Sequence, residues 1–148
     1  MRLSSLADYA VVMMTAAARS PCAARLNATR LAGETGVPLP TAQKLVSRLA
    51  AAGLIESARG TGGGFSLARD ADAITLADII EAVEGPIALT TCIDDDRSDC
   101  ALDGHCQVKP HWAVVNRAVR GALAGVTLAD LAIPHSPALV AERIEVHA

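Results

Sequence analysis

Four of the five residues from 60 to 64 are glycine, and short apolar segments flank this run on both sides. Leu54 and Ile55 precede the run and Phe65 and Leu67 follow it, which predicts two strands joined by a hairpin. Glycines suit the tip because they accept positive φ and let a backbone approach a phosphate closely. A phosphate-binding P-loop also contains glycines, but it needs a lysine that opens a helix, and this run has none. The run therefore predicts a β-hairpin with a glycine-rich tip rather than a P-loop.

Three helices are predicted upstream of the hairpin. The first has apolar residues at the i, i+3, i+4, i+7 spacing of a buried face, and Ser5 is its expected N-cap. A short second helix over 29–34 ends at Gly36, where a C-cap is expected. After a tight break over 37–40, a third helix runs from about 41 to 52. Two short helices joined by a turn form the helix-turn-helix pattern, and the hairpin behind them predicts its winged form.

The C-terminal half continues with two further helices. Thr75 and Asp78 have the spacing of a capping box and predict a helix that Gly85 ends. A helix over 110–126 carries an apolar stripe that needs a partner surface, either a second copy of the chain or its own domain. The stripe consists of Trp112, Val115, Val119, Leu123 and Val126.

The predicted fold class is therefore mainly α with a small β-hairpin wing, that is, a winged helix-turn-helix plus a long C-terminal dimerisation helix. Residues 1–84 form the winged domain and 85–109 a cysteine-rich loop. Residues 110–133 form the dimerisation helix and a short return helix, and 134–148 a tail.

Three of the four cysteines lie on the loop, in the spacing C-x7-C-x5-C: Cys92, Cys100 and Cys106. Three thiols cannot all pair with one another, and cytoplasmic thiols are normally reduced, so disulfides explain the group poorly. Thiolates concentrated on one loop suit soft metals and iron–sulfur clusters. Zinc and metal-free redox-active thiols are the alternatives, although zinc sites usually include a close C-x2–4-C pair that is absent here. An iron–sulfur cluster is the interpretation that the spacing favours.

The spacing leaves the fourth ligand open. His105 and His111 lie close to the third cysteine, and Asp8 is remote in sequence. Two of these residues have a plain structural alternative. His111 can be a surface residue of the first helical turn, and Asp8 can be a capping acid. Cys22 stands apart and is expected to be a small buried or partly exposed thiol.

Charge separates the two halves of the chain. Residues 1–70 hold eight Lys/Arg and four Asp/Glu, whereas residues 71–148 hold five and twelve, which together give the net charge of −3. A basic half joined to an acidic half favours a DNA-binding part attached to another module. No apolar stretch is long enough for a membrane span, so we expect a cytoplasmic protein without a membrane partner. An enzyme using Cys106 with His105 or His111 is the competing class, but no nucleophile, base and orienting group appear together, and we expect no enzyme.

Several short stretches between residues 1 and 133 form a specific combination. They are Met1-Arg2-Leu3, Asp8-Tyr9-Ala10, Leu45-Val46-Ser47-Arg48-Leu49, Ala52-Gly53-Leu54-Ile55, the run from Arg59 to Ala68, Glu81-Ala82-Val83-Glu84-Gly85, the three cysteines, and Val126-Thr127-Leu128-Ala129-Asp130-Leu131. This combination resembles the IscR/NsrR-like family of iron–sulfur winged-helix transcription regulators. Within that family, its subgroup of SUF-system assembly regulators is most similar in three stretches: Asp8-Tyr9-Ala10, Gly85-Pro86-Ile87-Ala88 and His111-Trp112.

The resemblance implies a homodimer with crossing C-terminal helices and an iron–sulfur cluster, [2Fe–2S] or [4Fe–4S], that controls affinity for promoter DNA. IscR-like members have a histidine ligand three residues after the third cysteine, where this chain has Lys109. NsrR-like members take an aspartate near the start of the first helix from the partner subunit, and Asp8 matches that place. The resemblance therefore favours Asp8 over His111 as fourth ligand. It implies control of SUF-type assembly genes, with a nitric-oxide or redox-sensing repressor, or a zinc-stabilised DNA-binding protein, as alternatives.

The third helix is expected to enter the major groove with its N-terminal positions at base edges. Gln43 matches adenine, Lys44 matches guanine or a phosphate, and Thr41 lies beside them. Ser47 and Arg48 are expected to contact the DNA backbone, and Arg59 of the wing the adjacent minor groove.

Overall fold

The computed structural model describes residues 2–21, 25–58, 63–93, 100–102 and 104–134. It confirms a mainly helical fold with one two-stranded hairpin. The elements in chain order are α1 (Ser5–Arg19), α2 (Ala28–Thr35), α3 (Leu39–Ala51), β1 (Ile55–Ala58), β2 (Gly64–Leu67), a 3-10 turn (Ala71–Ala73), α4 (Leu76–Glu84), α5 (Lys109–Ala124) and α6 (Leu128–Ala132). In the ranges given above, no helix is both long and apolar enough to cross a membrane.

Helix α1 lies at the centre of the core. Its buried residues recur on one face and are Ala7, Ala10, Met13, Met14 and Ala17. Ser4, not the predicted Ser5, is the N-cap, and its hydroxyl oxygen accepts a hydrogen bond from Ala7 N–H at 3.1 Å. The reason is conformational, because Ser4 has the extended backbone that an N-cap requires, whereas Ser5 is already helical.

Helices α2 and α3 form the predicted helix-turn-helix. Gly36 closes α2 in the left-handed conformation with φ of 76°, which confirms the expected C-cap. Helix α3 begins at Leu39, two residues earlier than predicted, so Pro40 belongs to its first turn rather than to the break. Proline is compatible with a first helical turn because the missing N–H has no partner there and φ is already suitable.

The wing has the predicted strands, with Ile55 paired to Leu67 in an antiparallel register. A segment that the sequence did not predict pairs with β2: Leu26 and Phe65 exchange two main-chain hydrogen bonds of 3.1 and 2.8 Å. A Cβ atom on Gly64 would lie 2.5 Å from the Leu26 carbonyl oxygen, so this close approach requires glycine.

Helix α4 begins with the predicted capping box between Thr75 and Asp78. Helix α5 ends at Ala124, so Val126 does not extend its apolar stripe as predicted. The C-cap Gly125 ends the helix first, and the Val126 carbonyl accepts a hydrogen bond from Leu76 N–H at the start of α4.

Helix α6 returns to the winged domain and packs against α1. Its Leu128 is fully buried in the same core as α1, α3 and α4. Arg19 at the end of α1 donates to the carbonyl of Ala132, the last residue of α6, at 3.0 Å. The core of the winged domain therefore includes the predicted return helix, although α5 and the cysteine segment separate the two in sequence.

Candidate DNA-binding surface and cysteine segment

Helix α3 has one buried and one exposed face. Ala42, Leu45 and Leu49 are buried in the core. On the opposite side Gln43, Lys44 and Ser47 are exposed, and Thr41 is half-buried between the two faces. Positions i, i+3 and i+4 share one side of a helix, so residues 43, 44 and 47 form one continuous surface. This surface has the polar, hydrogen-bonding character that base edges and phosphates require.

The two arginines predicted to contact DNA are Arg48 and Arg59. Arg48 is half-buried, and its guanidinium donates a hydrogen bond to the main-chain carbonyl of Val83 in the last turn of α4. The contact it makes in the structure therefore lies inside the protein. Arg59, at the wing tip, lies outside the described residues.

The three cysteines of the segment between α4 and α5 are free thiols, and Cys92, Cys100 and Cys106 are each half-buried. The Sγ of Cys92 lies 3.2 Å from the hydroxyl oxygen of Thr90. In the part of the segment that the structure describes, the three thiols do not converge with an acid or a histidine into a metal-binding group. Cys22 falls outside the described ranges.

The donor chemistry nevertheless fits an iron–sulfur cluster. Three reduced and partly accessible thiols on one segment match the thiolates that hold such clusters. Metal sites of this kind commonly form only when the metal draws its ligands together, because binding is coupled to local folding. The three thiol donors are thus present on the segment, and binding of a cluster would bring them into contact.

The candidates for the fourth ligand are all on the surface. Asp8 is exposed in the first turn of α1, and its carboxylate has no hydrogen bond or ion pair to any described residue. His105 and His111 are exposed as well. The carboxylate of Asp8 is therefore accessible at the surface of α1.

Sequence reasoning missed a side chain that fastens the cysteine segment to α5. The side-chain amide of Asn116 donates to the Ile87 carbonyl at 2.8 Å and accepts from Leu89 N–H at 3.0 Å. One signal was available: a lone asparagine follows Trp112 by four residues and so falls among the apolar positions of α5. A polar residue within an apolar helix face indicates a specific hydrogen-bonding partner.

An ion pair adjoins this contact. The two carboxylate oxygens of Glu81 accept from Arg120 at 2.8 and 2.9 Å, which joins α4 to α5. One of them also accepts from Ile87 N–H at 3.3 Å. The hydrogen bond from Arg120, with a smaller contribution from Ile87 N–H, lowers the pKa of Glu81 below its ordinary value of 4.5, although partial burial opposes the shift.

Helix α5 has two different faces, which divides the predicted stripe. Trp112, Val119 and Leu123 are half-buried on the side of Asn116, towards the chain's own α4. Val115 belongs to the outer side, which is more exposed. Besides His111, the exposed residues of that side are small or apolar, namely Val114, Val115, Ala118, Gly121 and Ala122. Part of the stripe thus packs within the chain, and a second face made mostly of small and apolar residues is exposed.

A family model described as Rrf2, iron-dependent transcriptional regulator, matches residues 3–134. The chain is 31% identical over 131 residues to the HTH-type transcriptional regulator IscR of Escherichia coli, covering 88% of this chain and 80% of that protein. It is 29% identical over 147 residues to IscR of Vibrio cholerae, covering 99% and 84% of the two chains.

Solved structures give the same result for the fold. CymR, the global cysteine regulator of B. subtilis, superposes with a TM-score of 0.68 at 30% identity, covering 89% of this chain and 96% of that one. IscR of T. potens has a TM-score of 0.66 at 24% identity, covering 100% and 92%. Both likenesses confirm the predicted winged-helix fold.

Proposed function

This chain belongs to the Rrf2 family of iron-dependent transcriptional regulators, and we propose that it binds promoter DNA with an affinity controlled by an iron–sulfur cluster. One observation carries the proposal: Arg48 ties α3 to the last turn of α4, and the cysteine segment leaves the protein core from that same turn. The helix that carries the surface suited to DNA is therefore bound to the turn from which the segment suited to a cluster departs.

We assign Gln43 and Lys44 to the recognition of bases. A winged domain places the N-terminal part of its recognition helix at base edges in the major groove. Gln43 would pair with adenine through its amide, and Lys44 would donate to guanine or a phosphate. Thr41 and Ser47 flank them and would contact the sugar–phosphate backbone, while Arg59 of the wing would enter the minor groove.

Arg48 takes a different role in this proposal from the one predicted by the sequence. Its guanidinium is bound to Val83, so its first role is to hold α3 against α4. A contact to the DNA backbone would have to use its remaining N–H groups.

We assign Cys92, Cys100 and Cys106 as the thiolate ligands and Asp8 of the partner subunit as the fourth ligand. When bound, the cluster supplies a redox-active centre that links the three thiolates. The thiolates would draw residues 92–106 into one compact loop between α4 and α5. The exposed Asp8 carboxylate would tie that loop to the first helix of the other subunit.

We further propose a homodimer formed through α5. Val114 and Val115 are 62% and 43% exposed on the outer face of the helix. Ala118 and Gly121 on the same face would let a second α5 approach closely, and burial of the valines would stabilise the pair. A two-fold dimer presents two copies of α3 to the two halves of a palindromic operator.

Control of DNA binding follows from where the cysteine segment lies. It connects α4, which holds α3, to α5, which would hold the dimer together. Gain or loss of the cluster would then change the spacing of the two α3 helices. A coupling of about 3 kcal/mol would alter DNA affinity by more than a hundredfold.

Anaerobic purification followed by an absorption spectrum and iron and sulfide counts tests the cluster. We expect iron and sulfide in the wild type and in Cys22→Ser, and loss of both in Cys92→Ser, Cys100→Ser and Cys106→Ser. Operator binding by holo and apo protein, measured side by side, tests the control. Zinc without iron, or equal affinities of the two forms, would contradict the proposal.

The proposed targets are iron–sulfur assembly genes of the SUF type, on the support of the stretches shared with that subgroup, 85–88 and 111–112. Chromatin immunoprecipitation with sequencing checks this assignment. Enrichment confined to nitric-oxide detoxification promoters would instead favour the nitric-oxide-sensing alternative.

A further inference from the structure

The cysteine segment is fixed at both of its ends to one helix, α5. Its C-terminal end runs directly into α5 at Lys109. Its N-terminal end bonds Asn116, in the middle of the same helix, through Ile87 and Leu89. The two fixed points are separated by seven residues, which is about 10 Å along a helix axis.

Two of the three thiols are equally close to these fixed points. Cys92 follows Leu89 by three residues, and Cys106 precedes Lys109 by three residues. Three extended residues reach about 10 Å. Both thiols are therefore able to meet beside the N-terminal half of α5 while the two ends of the cysteine segment stay in place.

We infer that Asn116, supported by Glu81, is a positioning residue that brings Cys92 within reach of Cys106. Asn116 uses both halves of its amide on the segment, and Glu81 accepts from Ile87 N–H beside it. Without these bonds the fixed point before Cys92 would be the end of α4 at Glu84, eight residues away instead of three.

The size of the effect follows from the entropy of closing a loop. With the bonds, six steps along the chain separate the two thiols from their anchors at Leu89 and Lys109, and without them eleven steps separate them from Glu84 and Lys109. Loop closure scales with the three-halves power of length, so the thiols would meet about 2.5-fold less often without the bonds. The relevance of this positioning to a cluster rests on the proposed function, whereas the positioning itself does not.

Cross-linking of the apo protein tests the inference without any cluster. In a Cys22→Ser, Cys100→Ser background, a short reagent that reacts with two thiols joins Cys92 to Cys106. We expect the double variant Asn116→Ala, Glu81→Ala to slow this cross-link by about 2.5-fold. A parallel background with Cys22→Ser and Cys92→Ser leaves the pair Cys100 and Cys106, which does not span the bonds, and its rate should stay the same.

Two further measurements complete the test. The single variant Asn116→Ala, with the ion pair of Glu81 intact, should lose the hydrogen-exchange protection of Leu89 N–H while its helical signal is retained. Arg117→Ala, an exposed neighbour on α5, should change neither the protection nor the cross-linking. An unchanged ratio of the two cross-linking rates, or unchanged protection of Leu89, would overturn the inference. If this ratio falls in the double variant but the wild type binds no iron, the positioning role of Asn116 is upheld and the proposed cluster is refuted.

Discussion

The guanidinium of Arg48 donates a hydrogen bond to the main-chain carbonyl of Val83, across 35 positions of sequence. The contact joins the helix that carries the candidate DNA surface to the last turn of α4. It distinguishes Arg48 from Lys44, which lies one turn earlier on α3 and is exposed.

Arg48→Ala should therefore lower the free energy of unfolding by about 1–2 kcal/mol, because a partly buried carbonyl loses a charged donor. Lys44→Ala should change stability by less than about 0.5 kcal/mol, as expected for an exposed side chain. Urea denaturation of the two variants measures both. If Arg48→Ala keeps full stability and loses DNA affinity, Arg48 acts directly on the DNA, as the sequence alone predicts.

Lys44→Ala should instead weaken operator binding and reduce the salt dependence of affinity by about one phosphate contact. Gln43→Ala should cost about 1–3 kcal/mol on the preferred operator and relax discrimination at one base pair. Fluorescence anisotropy titrations over a range of salt, with operators substituted at single positions, separate the two effects. Equal losses on operator and unrelated DNA for Gln43→Ala would show that it reads no base.

Gly64→Ala should destabilise the pairing of β2 with Leu26, because the added Cβ would lie 2.5 Å from the Leu26 carbonyl oxygen. We expect a lower melting temperature and weaker operator binding. Gly33→Ala is the matched control, since this helical glycine faces open space and alanine should stabilise α2 by about 0.5–1 kcal/mol. Equal melting temperatures for Gly64→Ala and the wild type would show that Leu26 moves away at no cost.

The Glu81–Arg120 ion pair predicts a pH dependence of stability. Because folding lowers the pKa of Glu81, its contribution is present above the ordinary value of 4.5 and is lost as pH falls through the lower value of the folded state. Glu81→Gln should therefore be less stable than the wild type near neutral pH, and the difference should shrink below about pH 4.5. Urea unfolding between pH 3 and 7 measures it, and a difference that grows on acidification would refute the assignment.

If the outer face of α5 forms the dimer interface, a charge buried there should weaken association of the two subunits. Val114→Asp should raise the dimer dissociation constant at least about tenfold, because the interface would lose an apolar contact and enclose a carboxylate. Ile133→Asp places the same charge just after α6, where Ile133 is 53% exposed, and should leave association unchanged. Sedimentation equilibrium of both variants decides, and equal dissociation constants would exclude this face of α5 as the interface.

Much of the fold follows from patterns that are local in sequence. The glycine run with Leu54, Ile55, Phe65 and Leu67 around it predicts the wing, because turns and strand alternation depend on near neighbours. The capping box of α4 and the C-cap at Gly36 follow for the same reason. Errors in these predictions were shifts of one or two residues, as at Ser4 and at the start of α3.

Residue spacings over short stretches of sequence thus suffice to predict the winged helical fold and the group of three cysteines. The long-range contacts between those elements depend instead on how the helices pack. Arg48 reaches Val83, Asn116 reaches Ile87 and Arg120 reaches Glu81 over 29 to 39 positions. No local pattern selects such partners, because they depend on how α3, α4 and α5 pack. The same packing turned Trp112, Val119 and Leu123 towards the chain's own α4 and left Val114 and Val115 outside.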